Sequence, residues 1–338
     1  MQGKTFFVGV DVSKNTLDFA VYGGKDHIRV SNNSDGFKHL VAFLKSLGIA
    51  LADCWFVLEY TGGYEYRFLQ FCVTKKVRYC RISGLEIKRS LGLQRGKNDK
   101  VDAMRIAVYG HEKQNRLKPD SACNSAVERL KQLLRQRSNF VKARKADEHR
   151  ASEIQEMYGL KDSDPMLKRY RQSAAHNAKM AAQTENDIID LMNAHEALKK
   201  NYTLLTSICG IGPVNAWTMI AYTSNFERFE DARKFGAYCG VVPYEQSSGV
   251  FRGKHRVSHL CNHEVKAGLH MAARASVQHD PEMRAYYDRR KIMGKHHMGI
   301  MNEIMFKLVL RMFAVVKKQE KYVEKLPVEA GNLVVSHT

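Results

Sequence analysis

The chain has 338 residues, with 54 Lys or Arg against 35 Asp or Glu, which leaves a net charge of +19 with His neutral. That length suits two domains and a connector, and an apolar share of 44% is enough for real hydrophobic cores. So large a cationic excess repels itself in isolation and argues against a protein with no polyanionic partner, because Lys and Arg release counterions condensed on phosphate backbones. The seven cysteines, at positions 54, 72, 80, 123, 209, 239 and 261, include no C-x-x-C pair. They indicate neither a disulfide framework nor a structural zinc site, and the expectation is reduced thiols in a cytoplasmic protein. Asp11 interrupts the only early apolar run, so neither a signal peptide nor a membrane span is expected.

In chain order, Thr5 to Val12 reads as a buried strand and Thr16 to Tyr22 as a second strand after the turn at Ser13-Lys14-Asn15. His27 to Val30 completes a meander. Asp35 to Leu47 has helical spacing and ends before Gly48, Cys54 to Tyr60 is a strand, Tyr64 to Thr74 a helix, Val77 to Ile82 a strand, and Asp99 to His111 a helix. Strands followed by strand-helix alternation imply an α/β mixed sheet with helices packed on it. Ser125 to Met157 and Pro165 to Lys200 lack strand alternation and read as two long helices, bridging or oligomerising in role. From Tyr202 a short helix, the Gly210-Ile211-Gly212 turn and a helix opened by Pro213 follow the logic of a helix-hairpin-helix module. Such a turn presents free backbone N–H groups to a phosphate. A loop from Cys239 to Asn262 precedes mostly helical sequence to about Lys325. The organisation is therefore 1–120, 121–200, 201–326 and a tail at 327–338.

Two strands end in acids: Asp11 in Phe7-Val8-Gly9-Val10-Asp11 and Glu59 in Val57-Leu58-Glu59. An acid there interrupts a buried run, at a cost unless it lies at an exposed sheet edge or binds a cation. Asp99 and Asp102, three apart at a helix start, share one face. Four such carboxylates repel one another without a divalent cation, and hard oxygen donors suit Mg²⁺, singly or as a pair of ions clamping a phosphodiester. Between Lys75 and Arg105 lie ten Lys or Arg and three acids, two of them Asp99 and Asp102. Acids inside a phosphate-binding belt are what a nuclease-like site requires. Each acid alone also has a structural explanation, as a strand-end or turn acceptor, a helix-start charge or a surface ion pair. Within and beyond the belt, Arg95, Lys97, Lys100, Arg252, Lys254 and Arg256, with Gly210 and Gly212, are the candidate nucleic-acid contacts. His263, His270, His296 and His297 form no recognisable ligand set.

The motifs Gly9-Val10-Asp11-Val12-Ser13-Lys14, Glu59-Tyr60-Thr61-Gly62-Gly63-Tyr64 and Lys97-Asn98-Asp99-Lys100-Val101-Asp102-Ala103 resemble the DEDD transposases of bacterial insertion sequences. These are the bridge-RNA-guided recombinases, related to the Piv-type DNA invertases. The resemblance continues through Gly210-Ile211-Gly212-Pro213, Phe235 to Pro243 and Ser247-Ser248-Gly249. Asn98 stands where the family usually has Thr, and Leu260-Cys261-Asn262 replaces a basic, Gly-containing turn. The resemblance implies a RuvC-like (RNase H-type) N-terminal domain, a mostly helical linker and a C-terminal transposase domain with a nucleophilic serine. That serine maps to Ser248 rather than Ser247. It also implies a dimer-to-tetramer assembly, target and donor DNA as substrates, and a structured noncoding guide RNA.

Other readings make different demands. A hydrolytic RuvC-like nuclease would use water in place of Ser248. A site-specific invertase would share the same chemistry. An actin-like kinase also places Gly-x-Asp-x-Ser-Lys on a phosphate-binding hairpin, but no second Asp-x-Gly hairpin follows. A non-enzymatic nucleic-acid scaffold would not need its acids.

Overall fold

The first apolar run forms β1 (Phe6–Val12), which pairs antiparallel with β2 (Thr16–Val21); β2 pairs antiparallel in turn with β3 (His27–Ser31). On its other side β1 pairs parallel with β4 (Cys54–Glu59), and β4 pairs parallel with β5 (Arg78–Ile82), giving the order β3-β2-β1-β4-β5. This computed structural model describes residues 5–90, 99–120, 125–244, 247–248, 251–252, 256–257 and 260–324. Contacts divide the chain into Met1–Cys123 and Asn124–Thr338.

Period-two alternation gives the sheet of the first unit two different faces. Val8, Val10, Leu17, Phe19, Phe56 and Leu58 pack with α1 (Ser34–Ser46) and α2 (Tyr66–Thr74) through Phe37, Leu40, Leu44, Phe68 and Leu69. The α1 helix starts where Asn33 accepts a hydrogen bond from the Gly36 N–H, satisfying one donor of the first turn. Phe7, Val57 and Cys80 face the other way, toward α3 (Gly84–Ser90) and α4 (Asp99–Glu112), and close a smaller core with Ile87, Ile106 and Tyr109. The α/β architecture agrees with the sequence expectation. The α3 helix is an addition, since its seven residues carry too little periodicity to be read from sequence.

The second unit is helical apart from short strands. α5 (Ser125–Tyr158) and α6 (Pro165–Ala194) form an antiparallel pair. It is cross-linked by Arg137 to Glu185 at 2.6 Å and Ser173 to Asp147 at 2.7 Å. At 34 residues α5 is about 50 Å long. Its start (Ala126 to Leu134) and the end of α6 (Ile188, Met192) share one core with α7 (Glu196–Thr206), α8 (Pro213–Thr223), α9 (Ala232–Tyr238), α10 (His263–His279), α11 (Pro281–Ile292) and α12 (His297–Lys318). The expected single helix from Pro165 to Lys200 is two helices. His195 breaks it with φ −130° and ψ 97°. On an unbroken helix Leu198 would lie roughly 120° around the axis from Met192; the break returns it to the same buried core. Within the expected loop, β6 (Pro243–Tyr244) pairs with β9 (Arg256–Val257), and β7 (Ser247–Ser248) with β8 (Phe251–Arg252). Among the described residues no helix is long and apolar enough to cross a membrane.

Candidate active site

Two small residues set where the carboxylates meet. A Cβ on Gly9 would overlap the carbonyl oxygen of Ala103 and the backbone N of Ala107, so α4 rests directly on β1 at this point. Gly110, one helical turn on, sits against Val57 and Phe7. The helix therefore runs antiparallel to β1, with Gly110 over Phe7 and Ala107 and Ala103 over Gly9. Asp11 is two residues beyond Gly9 on the same strand face, and Asp99 and Asp102 occupy the first turn of α4, just before Ala103. β1 and β4 are in register as Gly9 with Val57 and Val10 with Leu58, so Glu59 is one step along from Leu58 as Asp11 is from Val10.

The electrostatics agree with this placement. Burial pushes the Asp11 carboxyl up to about 6, and the charges of Asp102, Asp99, Asp18 and Glu59 add to it in that order. All four acids singled out in the sequence therefore act on one locus, together with a fifth, Asp18. Asp18 faces Asp11 across the β1–β2 pair and is almost fully buried at 3% exposure. Like charges directly opposite on a sheet destabilise it unless compensated. Compensation comes from β3: His27 Nε2 lies 2.7 Å from Asp18 Oδ1, and Arg29 Nε donates to both Asp18 oxygens at 3.1 and 3.0 Å. The same Arg29 reaches Asp99 through its other nitrogen, while Arg105 donates to Asp102 at 2.8 Å. Asp18 escaped the sequence reading, although an acid inside the otherwise apolar Thr16–Val21 strand was a visible signal.

The donor chemistry fits magnesium: Asp11, Glu59, Asp99 and Asp102 offer only hard oxygens, in a place whose excess negative charge raises the proton affinity of Asp11. Among the described residues, however, no three His, Cys, Asp or Glu side chains stand close enough to hold an ion. Asp99 and Asp102 take their countercharge from Arg29 and Arg105 instead.

The loops behind the acids are braced by residues the sequence did not mark. Asn32, buried, donates from Nδ2 to the Ser13 carbonyl at 3.2 Å and the Tyr64 carbonyl at 2.8 Å. It thereby ties the turn after β1 to the loop after β4. In that loop Glu65, also buried, accepts from the Gly63 N–H at 2.9 Å and from Thr61 Oγ1. Gly62 and Gly63 adopt φ of 77° and 127°, a backbone that side chains disfavour. A Cβ on Gly84 would overlap Glu59 Oε1, so the carboxylate rests over the start of α3, where a helix favours negative charge.

Lys100 is exposed on the first turn of α4, while Arg95 and Lys97 fall outside the described residues. Ser248 pairs with Phe251, and Ser247 with Arg252, in the β7–β8 pair; Arg256 pairs with Tyr244, and Lys254 is outside the described residues. Gly212 caps α8 and faces open space. Gly210, at φ 90°, has a different surrounding: a Cβ would meet the Ala272 carbonyl at 2.6 Å and overlap Ser276 Oγ, and Ser276 in turn donates to the Cys209 carbonyl at 2.8 Å. Packing on α10 by itself accounts for that glycine. Of the cysteines, Cys54, Cys72, Cys80 and Cys239 are buried and free, as expected, with burial pushing the Cys54 and Cys80 thiols up to about 12.

Two family models and two relatives match parts of this chain. Residues 8–156 match the model of the DEDD transposases of the IS110 type, described as a transposase. Residues 202–288 match the model of the transposase IS116/IS110/IS902 family. The chain is also 26% identical over 156 residues to the insertion element IS110 uncharacterized 43.6 kDa protein of Streptomyces coelicolor, an alignment covering 46% of this chain and 37% of that protein. To the insertion element IS900 uncharacterized 42 kDa protein of Mycobacterium paratuberculosis it is 26% identical over 183 residues, covering 53% of this chain and 45% of the relative. The chain thus spans less than half the length of the curated relatives it matches. The two models match in order, one over the segment that carries Asp11, Glu59, Asp99 and Asp102 and one over part of the helical unit, so the chain is similar to the IS110-type DEDD transposases along both.

Proposed function

We propose that the protein cuts and rejoins DNA as a metal-dependent transposase, through a RuvC-like site of Asp11, Glu59, Asp99 and Asp102 and the nucleophile Ser248. The observation that carries the reading is that Glu59, Asp99 and Asp102, all distant from Asp11 in sequence, bear on its carboxyl at the sheet end over which α4 begins. An antiparallel meander continued by parallel strands, with Asp11 near the end of β1 and Glu59 ending β4, supports the RuvC-like assignment. Bound magnesium would stabilise charge on the attacking and leaving oxygens of the phosphodiester. Asp11 and Glu59 would hold the ion, together with Asp99 and Asp102, which here are paired with Arg29 and Arg105. Ser248 loses its hydroxyl proton and its oxygen bonds to phosphorus as one ester oxygen departs with a proton. The phosphoserine keeps the bond energy, and attack by a DNA hydroxyl later releases the serine.

In this reading residues 1–120 form the catalytic domain, 121–200 join subunits of a dimer or tetramer, and 201–326 carry the serine and contact target and donor DNA. Arg95, Lys97, Lys100, Gly212, Arg252, Lys254 and Arg256 serve as backbone contacts, and a structured RNA selects the sites. A net charge of +19 suits a protein that handles two nucleic acids at once.

The test is a labelled donor duplex incubated with the protein, its copurifying RNA and Mg²⁺. A covalent protein–DNA adduct is expected on denaturing gels, absent in Ser248→Ala and in Asp11→Asn. Cleavage without an adduct, indifferent to Ser248, would replace the serine with water as nucleophile.

A further inference from the structure

The turn between α11 and α12 lies beyond both matched segments and has no part in the proposed chemistry. Residues 289–297 read Arg-Arg-Lys-Ile-Met-Gly-Lys-His-His, with four Lys or Arg and no acid. At its tip Ile292 is 87% and Met293 66% exposed, and Met298 follows at 52%. Single exposed aliphatics are ordinary. Two adjacent ones at the apex of a cationic turn are not, although Met293 Sδ meets Arg290 Nη1 at 3.9 Å.

The turn is rigid. Gly294, at φ 76°, lets the Lys295 N–H reach the Arg290 carbonyl at 3.2 Å and its own N–H reach the Lys291 carbonyl at 2.9 Å, a left-handed helix end. Glu303 on α12 then clamps both sides. It accepts from Arg290 at 2.9 and 3.1 Å, from Tyr286 Oη at 3.0 Å, and from Lys295. Burial alone would raise the Glu303 carboxyl, but these hydrogen bonds hold it down at about 2, so the clamp persists at working pH. Tyr287 Oη and His297 Nδ1, 2.8 Å apart, brace the far side. Arg289 and Lys291 remain exposed beside the tip.

We infer that this turn is a DNA-duplex contact: Arg289 and Lys291 hold phosphates while Ile292 and Met293 wedge against or between base pairs. A rigid aliphatic tip flanked by cations matches the wedges with which proteins unstack and kink duplex DNA. Single strands and unpaired RNA are instead gripped by aromatic platforms, which Ile292 and Met293 do not offer. The inference rests on the DNA-processing reading and adds to it a way of distorting the substrate.

The test uses the full-length protein and a duplex of about 30 bp carrying 2-aminopurine at successive positions, whose fluorescence rises on unstacking. Wild type should raise it. Ile292→Ala/Met293→Ala, with an unchanged melting temperature, should bind within about threefold of wild type yet lose the rise. Arg289→Ala/Lys291→Ala should bind about tenfold more weakly and lower the slope of log K against log salt by about 1 to 2. Undiminished unstacking in the first variant, or undiminished duplex binding in the second, overturns the inference, as does a loss confined to hairpin RNA. If wild type unstacks duplex through this turn but never cleaves, the transposase reading falls and this inference stands; if it cleaves while both turn variants behave as wild type, only this inference falls.

Discussion

Replacing Asp11 by Asn should stabilise the fold while removing its proposed function. The folded chain holds this carboxyl at about 6 against 3.8 in the unfolded state, first through burial and then through Asp102, Asp99, Asp18 and Glu59. A folded-state pKa above the unfolded one means that the native protein binds the extra proton between those values, so stability falls as pH rises through roughly 4 to 6 and the full cost is present above that window. Two pH units correspond to about 3 kcal/mol at full strength. Because Asp11 is only half-buried, solvent screening reduces this to about 1 kcal/mol. Asn fills nearly the same volume without the charge. Thermal melts followed by circular dichroism at pH 8 should place Asp11→Asn about 2–4 °C above wild type, and at pH 4 the two should coincide. About 10 mM Mg²⁺ should raise the wild-type melting temperature and leave the variant nearly unmoved, since only the wild type retains the central ligand. A variant less stable than wild type at pH 8, or a gain equally large at pH 4, would show that the acids do not crowd Asp11.

Two further outcomes follow from the same geometry. Gly9→Ala puts a methyl group into the backbone of α4 at Ala103 and Ala107. It should cost about 3 kcal/mol or more in calorimetry of the full chain, because backbone cannot yield as a flexible side chain does. Arg29→Ala removes the countercharge that Asp18 and Asp99 share. The metal-free protein should melt lower while the rise on adding Mg²⁺ grows, measured by the same melts; an unchanged Mg²⁺ response would mean that Asp99 takes no part in the ion site.

How far the sequence reaches differs from element to element. β1, β4 and α4 were legible because their side-chain periods are local properties, and the acids ending β1 and β4 interrupt apolar runs visibly. The break at His195 was not legible, because no Gly or Pro marks it and the driving force is burial of Leu198 in a core formed by distant helices. Asn32 was hidden for a related reason: its value lies in joining Ser13 to Tyr64, two loops far apart in the chain.

The sequence by itself determined which functional groups the chain carries: hard-oxygen acids, a cationic belt and the motif order are written in residue identity. Only the tertiary structure decided where that chemistry is concentrated. The close approach of α4 to Gly9 and the register of β1 with β4 bring the acids together, and Asp18, Arg29 and Arg105 enter the site through pairings between strands and within α4. The physical reason is that a carboxylate's proton affinity, its countercharge and its freedom to take an ion depend on what stands within a few ångströms. Residue identity names the groups, and packing sets those distances.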